Sequence, residues 1–274
     1  PIDYKESAAY IKDVPKEFEE WVKDNDERIT RANSVPYFIS DNPKYTGVTQ
    51  KHGSVGSLTG TKLGRAATKD AFKEYENSKP VTLTKEQKEQ MKEIAREMGL
   101  KECNPMTFFE ANEGMANIDF GKSDSYNENC QSCVAIHEAR LRGLNITSIG
   151  YSDDIQSVTY LLGEKFQSIW MNAKTGKTPQ VTLLRSENED DLFRRLDKSM
   201  STIGRYHVGI NQTNDRGHVI TAERMPSGKL LFYDPQNGSF LNIREFSELE
   251  SFEVLKVDKL LFRSDMLKAI SRLV

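Results

Sequence analysis

The chain has 274 residues, 37% of them hydrophobic and 29% charged, with a net charge of −3. That length holds one large domain or two small ones, and so slight a negative charge gives no general reason to expect nucleic-acid binding. No apolar run reaches membrane-spanning length, no leader pattern opens the chain, and three cysteines do not describe a disulfide framework, so a reducing compartment is expected.

The chain begins at Pro1 rather than Met, as expected of a processed or partial chain. Residues 1–45 read as a helical N-terminal segment. Phe18, Trp21, Val22 and Ile29 form an apolar stripe at helical spacing, entered near Pro15. Pro36-Tyr37-Phe38-Ile39 is a short apolar anchor before the turn signal Asp41-Asn42-Pro43. Residues 46–65 read as a flexible basic linker: five glycines fall between Gly47 and Gly64, and Lys44 to Lys69 carries five Lys or Arg and no acid. A nucleic-acid or phosphate-binding arm is the other reading of that basic run. His52, inside it, is expected to be solvated.

Residues 66–106 read as a helical region. Polar helices are predicted over 66–78 and 84–99, the second opened by a Thr84/Gln87 capping box and closed by Gly99. Residues 107–274 read as a further domain. It opens with a helix over 107–117, continues through a loop rich in Asp, Ser and Asn, and reaches a helix over 131–143 closed by Gly143. Strands are then expected over 206–211, 217–224, 229–234 and 253–261. Helices first and antiparallel strands later make this an α+β domain.

The turn signal Met225-Pro226-Ser227-Gly228 predicts a hairpin. Folded about it, Ala222 meets Leu230, Ile220 meets Phe232, and His218 meets Asp234 on one face. An acid on one ring nitrogen fixes the imidazole tautomer and leaves the other nitrogen to exchange a proton. His207 competes as the base but lacks an acid across a turn. Upstream, Cys130 follows Asn129 where a loop enters a helix, a position at which the helix dipole favours a thiolate. Cys130 is the preferred nucleophile. Cys133 is the alternative if the helix starts near Ser132, and is otherwise a small core residue. Cys103 is expected to be inert. Cys130, Cys133 and His137 also form C-x2-C-x3-H, three metal-ligand types without the fourth that a zinc site wants. The preferred reading has no metal, and His137 as a helix-face residue.

The runs Glu110-Ala111-Asn112, Asn129-Cys130-Gln131-Ser132-Cys133-Val134 and Glu138-Ala139-Arg140-Leu141-Arg142-Gly143 resemble the papain-fold toxin domain, also called Tox-PL or the glutamine-deamidase-like toxin domain. Gly217-His218-Val219-Ile220-Thr221-Ala222-Glu223 and Tyr233-Asp234-Pro235-Gln236-Asn237-Gly238 are similar to its later motifs. The resemblance spans about residues 107–245. It implies a papain-like cysteine hydrolase fold with Cys130 as nucleophile, His218 as base, Asp234 as orienting acid and Gln236 as an accessory polar group. The backbone N–H of Cys130, after Asn129, would contribute to an oxyanion hole. Trp21 to Ile29 and residues 36–42 bear a weaker resemblance to the spacer of phage minor head (MuF-type) proteins.

What the resemblance implies is a bacterial toxin or effector that deamidates glutamine side chains of a protein target and needs no cofactor. A cysteine protease or acyltransferase would use the same triad, and a non-enzymatic phage structural or binding module is the rival from another class. Partners expected on this reading are a protein substrate and either a cognate immunity protein or a phage capsid component, with no membrane partner and no nucleic acid beyond the basic run 44–69. The protein would be made in the bacterial cytoplasm and either attached to a virion or delivered into a target cell.

Overall fold

The computed structural model describes residues 62–274, apart from 113–114 and 214–215. The expectations for residues 1–45, for the linker as far as 61 and for His52 lie outside the described residues. Helix α1 (Lys62–Tyr75) begins within the stretch expected as linker. Helix α2 (Lys85–Glu97) carries the Thr84/Gln87 capping box in both directions, and Gly99 follows its cap at φ 75°. The single helix expected over 107–117 is instead α3 (Phe108–Ala111), opened by a Thr107/Glu110 capping box, and a separate 3-10 turn at Met115–Asn117. Short α4 (Asp124–Asn127) leads to α5 (Cys130–Leu141).

All twelve residues of α5 are buried, polar ones included. Buried ionic side chains demand partners, and here each has them. Glu138 Oε1 accepts from Arg142 Nε at 2.8 Å, and Arg205 grips Glu138 with Nε at 2.7 Å and Nη2 at 2.8 Å. Arg142 also donates to the carbonyls of Leu260 and Val257 at 2.7 and 2.9 Å and lies over the Trp170 and Phe262 rings. Gly143 ends the helix at φ 112°, where a Cβ would stand 2.7 Å from the Asn104 backbone. Only glycine fits both the backbone angle and that approach.

Strand β1 (Ile146–Ser148), α6 (Val158–Glu164) and β2 (Trp170–Met171) follow α5. Then come β3 (Thr182–Arg185), α7 (Glu189–Ser199), β4 (Gly204–Gln212), β5 (Arg216–Arg224), β6 (Leu230–Asp234), β7 (Ser239–Leu241) and β8 (Leu249–Lys256). The chain closes with β9 (Leu261–Phe262), α8 (Ser264–Ala269) and β10 (Ser271–Leu273). A six-stranded antiparallel sheet runs in the order β3-β8-β4-β5-β6-β7, and β1 with β10 and β2 with β9 form two-stranded ribbons. The described residues therefore make a mixed α/β structure with antiparallel sheets.

Side-chain alternation along the strands divides the core. Tyr206, Val208 and Ile210 of β4 and Ile220 and Ala222 of β5 pack with Leu192, Phe193 and Leu196 of α7. Val219, of opposite parity, packs with α5, α6, α2 and Trp170. An aromatic cluster joins α1 to the sheet, with Tyr75 stacked on Phe108 at 3.8 Å and Phe108 on Phe240 at 5.3 Å.

Two sequence expectations are corrected here. The strand expected over 253–261 lies at Leu249–Lys256, because the chain turns at Val257 (Leu260 N–H to Val257 O, 3.0 Å) instead of running on to 261. The β5–β6 hairpin is displaced by two partners: Ala222 pairs with Phe232 and Arg224 with Leu230. Gly228 N–H donates to Met225 O at 2.9 Å, which puts Pro226 and Ser227 at the turn centre, and Gly228 is an additional left-handed residue at φ 86°. An even displacement preserves strand parity, so His218 and Asp234 still share a row, but as diagonal neighbours rather than direct partners.

Candidate active site

Cys130 is the first residue of α5, whose cap is Asn129. The free N–H groups and dipole of a helix start favour negative charge at this place. His218 comes from β5 at a point where only β4 flanks it, opposite Ile210. Asp234 is the last residue of β6. The fold brings the three together: His218 Nε2 lies 2.8 Å from Asp234 Oδ2, and Cys130 is in hydrogen-bonding and charge contact with the same imidazole. With Nε2 taken by the acid, Nδ1 is the ring nitrogen left for the thiol.

Burial by itself would lower the His218 pKa, but the charges and hydrogen bonds of Asp234 and Cys130 outweigh it and raise it to about 10. The imidazole is thus held protonated beside the thiol at neutral pH, the electrostatic partner a thiolate needs. Asp234 is fixed by its own turn. The Gln236 N–H donates to Oδ1 at 2.9 Å, Asn237 Nδ2 to Oδ2 at 2.7 Å, and the Gly238 N–H to the Asp234 carbonyl at 2.9 Å. The Phe246 ring lies nearly parallel to the imidazole at 6.5 Å. Cys130 and His218 are only 1% and 2% exposed, so a reacting group has a narrow approach.

Cys133 occupies a different environment. Its Sγ reaches Asn129 Oδ1 at 3.2 Å and Ser148 Oγ at 3.5 Å, and burial pushes its thiol well above the ordinary value. Cys103 is half-buried and its thiol is also raised by burial. His137 Nδ1 is 2.7 Å from Asn112 Oδ1, and among the described residues no three His, Cys, Asp or Glu side chains converge as a metal-holding group. His207 lies beneath α5, edge-on to Trp170 at 5.3 Å, with both ring nitrogens buried and lacking a hydrogen-bond partner among the described residues. It does not join Cys130.

The two accessory residues differ. Asn129 Nδ2 donates to Ser148 Oγ at 2.8 Å and Ile149 O at 2.9 Å, which occupies its amide hydrogens. Gln236 Nε2 makes a long 3.4 Å contact with Asn129 Oδ1, and its Oε1 is buried without a hydrogen-bond partner among the described residues. Sequence reasoning missed Asn117, whose Nδ2 donates to Tyr126 O at 2.7 Å and Gln236 O at 3.0 Å. It also missed Gln131, whose Oε1 lies 3.6 Å from Cys130 Sγ while its Nε2 is held by Thr159 O at 3.1 Å. Neither is marked by its spacing, because Gln236 and Thr159, the partners that tie them across the site, lie far along the chain.

No protein-family model matches the chain, and no curated protein sequence matches it. Among solved structures, the crystal structure of the Pseudomonas avirulence protein AvrPphB is similar at 13% identity, over 53% of this chain and 57% of that one, with a TM-score of 0.21. No helix of the described residues is long and apolar enough to cross a membrane.

Proposed function

We propose that the protein is a papain-like cysteine hydrolase, acting as a toxin or effector that deamidates glutamine side chains of a target protein. One observation carries the reading: a single buried imidazole stands between a helix-start thiol and a carboxylate, 2.8 Å from the carboxylate. Cys130, as thiolate, attacks the carboxamide carbon. The proton on His218 goes to the departing nitrogen, ammonia leaves and a thioester remains. Water then gives its proton to His218 and attacks the thioester, releasing glutamate and the thiol. Asp234 keeps the ring oriented and stabilises its charge through both steps.

The backbone N–H at the start of α5 and the loosely held Gln236 amide are the proposed donors to the tetrahedral oxyanion. Asn129, with its hydrogens engaged, acts through the shape of the helix start instead. The narrow approach to Cys130 favours the terminal carboxamide of a side chain over a continuous peptide segment. Intact-mass analysis of candidate target proteins tests this. A gain of about one mass unit per site, absent with Cys130→Ala, is expected of side-chain amide hydrolysis through a thioester. Fragments would make it a protease, attachment of an amine a transferase, and no Cys130-dependent change in any target would remove the enzyme reading.

A further inference from the structure

We propose that Asn117 is a positioning residue of this site: it clasps the start of the nucleophile helix to the loop that carries the acid. The inference rests on the triad reading above and adds what sets the triad's spacing. Cys130 belongs to a helix packed in one core, whereas Asp234 ends a strand of the sheet. Hydrogen bonds between the acid loop and the start of α5 run through two asparagines. Asn117 Nδ2 donates to Tyr126 O, just ahead of the nucleophile, and to Gln236 O, two residues past the acid.

Asn117 and Asn129 also face each other amide to amide, at 3.2 and 3.3 Å. Asn129 carries the connection to Ser148 Oγ, Ile149 O and Cys133 Sγ, and accepts the long contact from Gln236 Nε2. Asn117 is 2% exposed, and Asn129 and Gln236 are fully buried. Burying primary amides is costly unless their hydrogen bonds are made. Apolar side chains would fill the same space, but could not fix two backbone carbonyls from opposite sides of the site relative to each other.

The test compares the parent with Asn117→Ala and Asn117→Leu, the second keeping a similar shape and removing both donors without adding a charge. NMR titration of the His218 imidazole reports how closely acid and thiol surround it, whether or not the protein is an enzyme. The inference expects the His218 pKa to fall by a unit or more in both variants, and alkylation of Cys130 by iodoacetamide at pH 7 to slow on the order of ten-fold, as a small misplacement of reacting groups does. Leu196→Ala, on α7 in the core that this helix shares with β4 and β5, destabilises the fold away from the site and is expected to move neither readout. Should the Asn117 variants fail to fold, Ser148→Ala, which loosens the same clasp by one bond, is expected to shift both readouts in the same direction by less. An unchanged His218 titration in folded variants, or an equal shift in Leu196→Ala, overturns the inference. Failure of Cys130 to react preferentially in the parent would instead count against the hydrolase reading, and the imidazole titration would still decide the role of Asn117.

Discussion

Two cysteines three positions apart on one helix meet different physics. Cys130 has the helix start and a protonated imidazole beside it, whereas Cys133 is one turn deeper with its thiol raised by burial. Alkylation at pH 7 followed by peptide mapping should therefore modify Cys130 first. Cys133→Ala should keep that reactivity, and Cys130→Ala should remove it. Fast labelling that survives Cys130→Ala would transfer the nucleophile to another thiol. At His218, the raised basicity depends on a negative partner at 2.8 Å. Asp234→Asn removes that charge and disturbs the tautomer, and hydrolysis should fall by about a thousand-fold or more, the scale seen when such an acid is neutralised.

Helix α5 shows how an element with so many polar residues can be fully buried. The Arg142–Glu138–Arg205 arrangement spends every ionic group on a partner and ties the far end of the helix to β4 and to the 257–260 turn. Glu138→Ala leaves two guanidinium groups facing each other in a low-dielectric interior. A loss of about 3–5 kcal/mol in urea unfolding is expected, as for other buried pairs deprived of one member. Gly143→Ala forces a non-glycine residue to φ 112° and drives its Cβ into the Asn104 peptide. Its cost is expected to exceed the roughly 1–3 kcal/mol of backbone strain alone, because the clash cannot relax through a side chain. A variant as stable as the parent would show that the 104–106 segment moves freely.

At the scale of the whole molecule, the histidines give stability two limbs in pH. Burial lowers His137 to about 4 and His207 to about 3, so folding keeps them neutral where the unfolded chain binds protons. Their contribution is complete above the ordinary histidine value and is lost as pH falls through the folded values. His218 is shifted the other way. Its contribution is complete below the ordinary value and is lost as pH rises towards about 10. Melting temperature should consequently decline on both sides of neutrality. His207→Gln should flatten the acid limb and Asp234→Asn the alkaline one, and a profile unchanged by either would separate these groups from the pH dependence.

Much of this was legible in local chemistry. The Thr84/Gln87 box, the glycines after α2 and α5, and the alternation in β4 to β6 each act within a few residues, so propensity and period reveal them. The helix-start cysteine and the His218/Asp234 row were readable for the same reason, since strand parity survives a displacement of two. The true hairpin register was not readable, because it depended on whether Gly228 took the left-handed conformation. Nor was the burial of α5, whose polar residues look like a solvated helix until Arg205, Val257 and Leu260 arrive from more than sixty residues away. Sequence determined which groups could do chemistry. Only the tertiary structure decided which of them share a site, because the contacts that set their spacing, Asn117 to Gln236 above all, join segments that are neighbours in space alone.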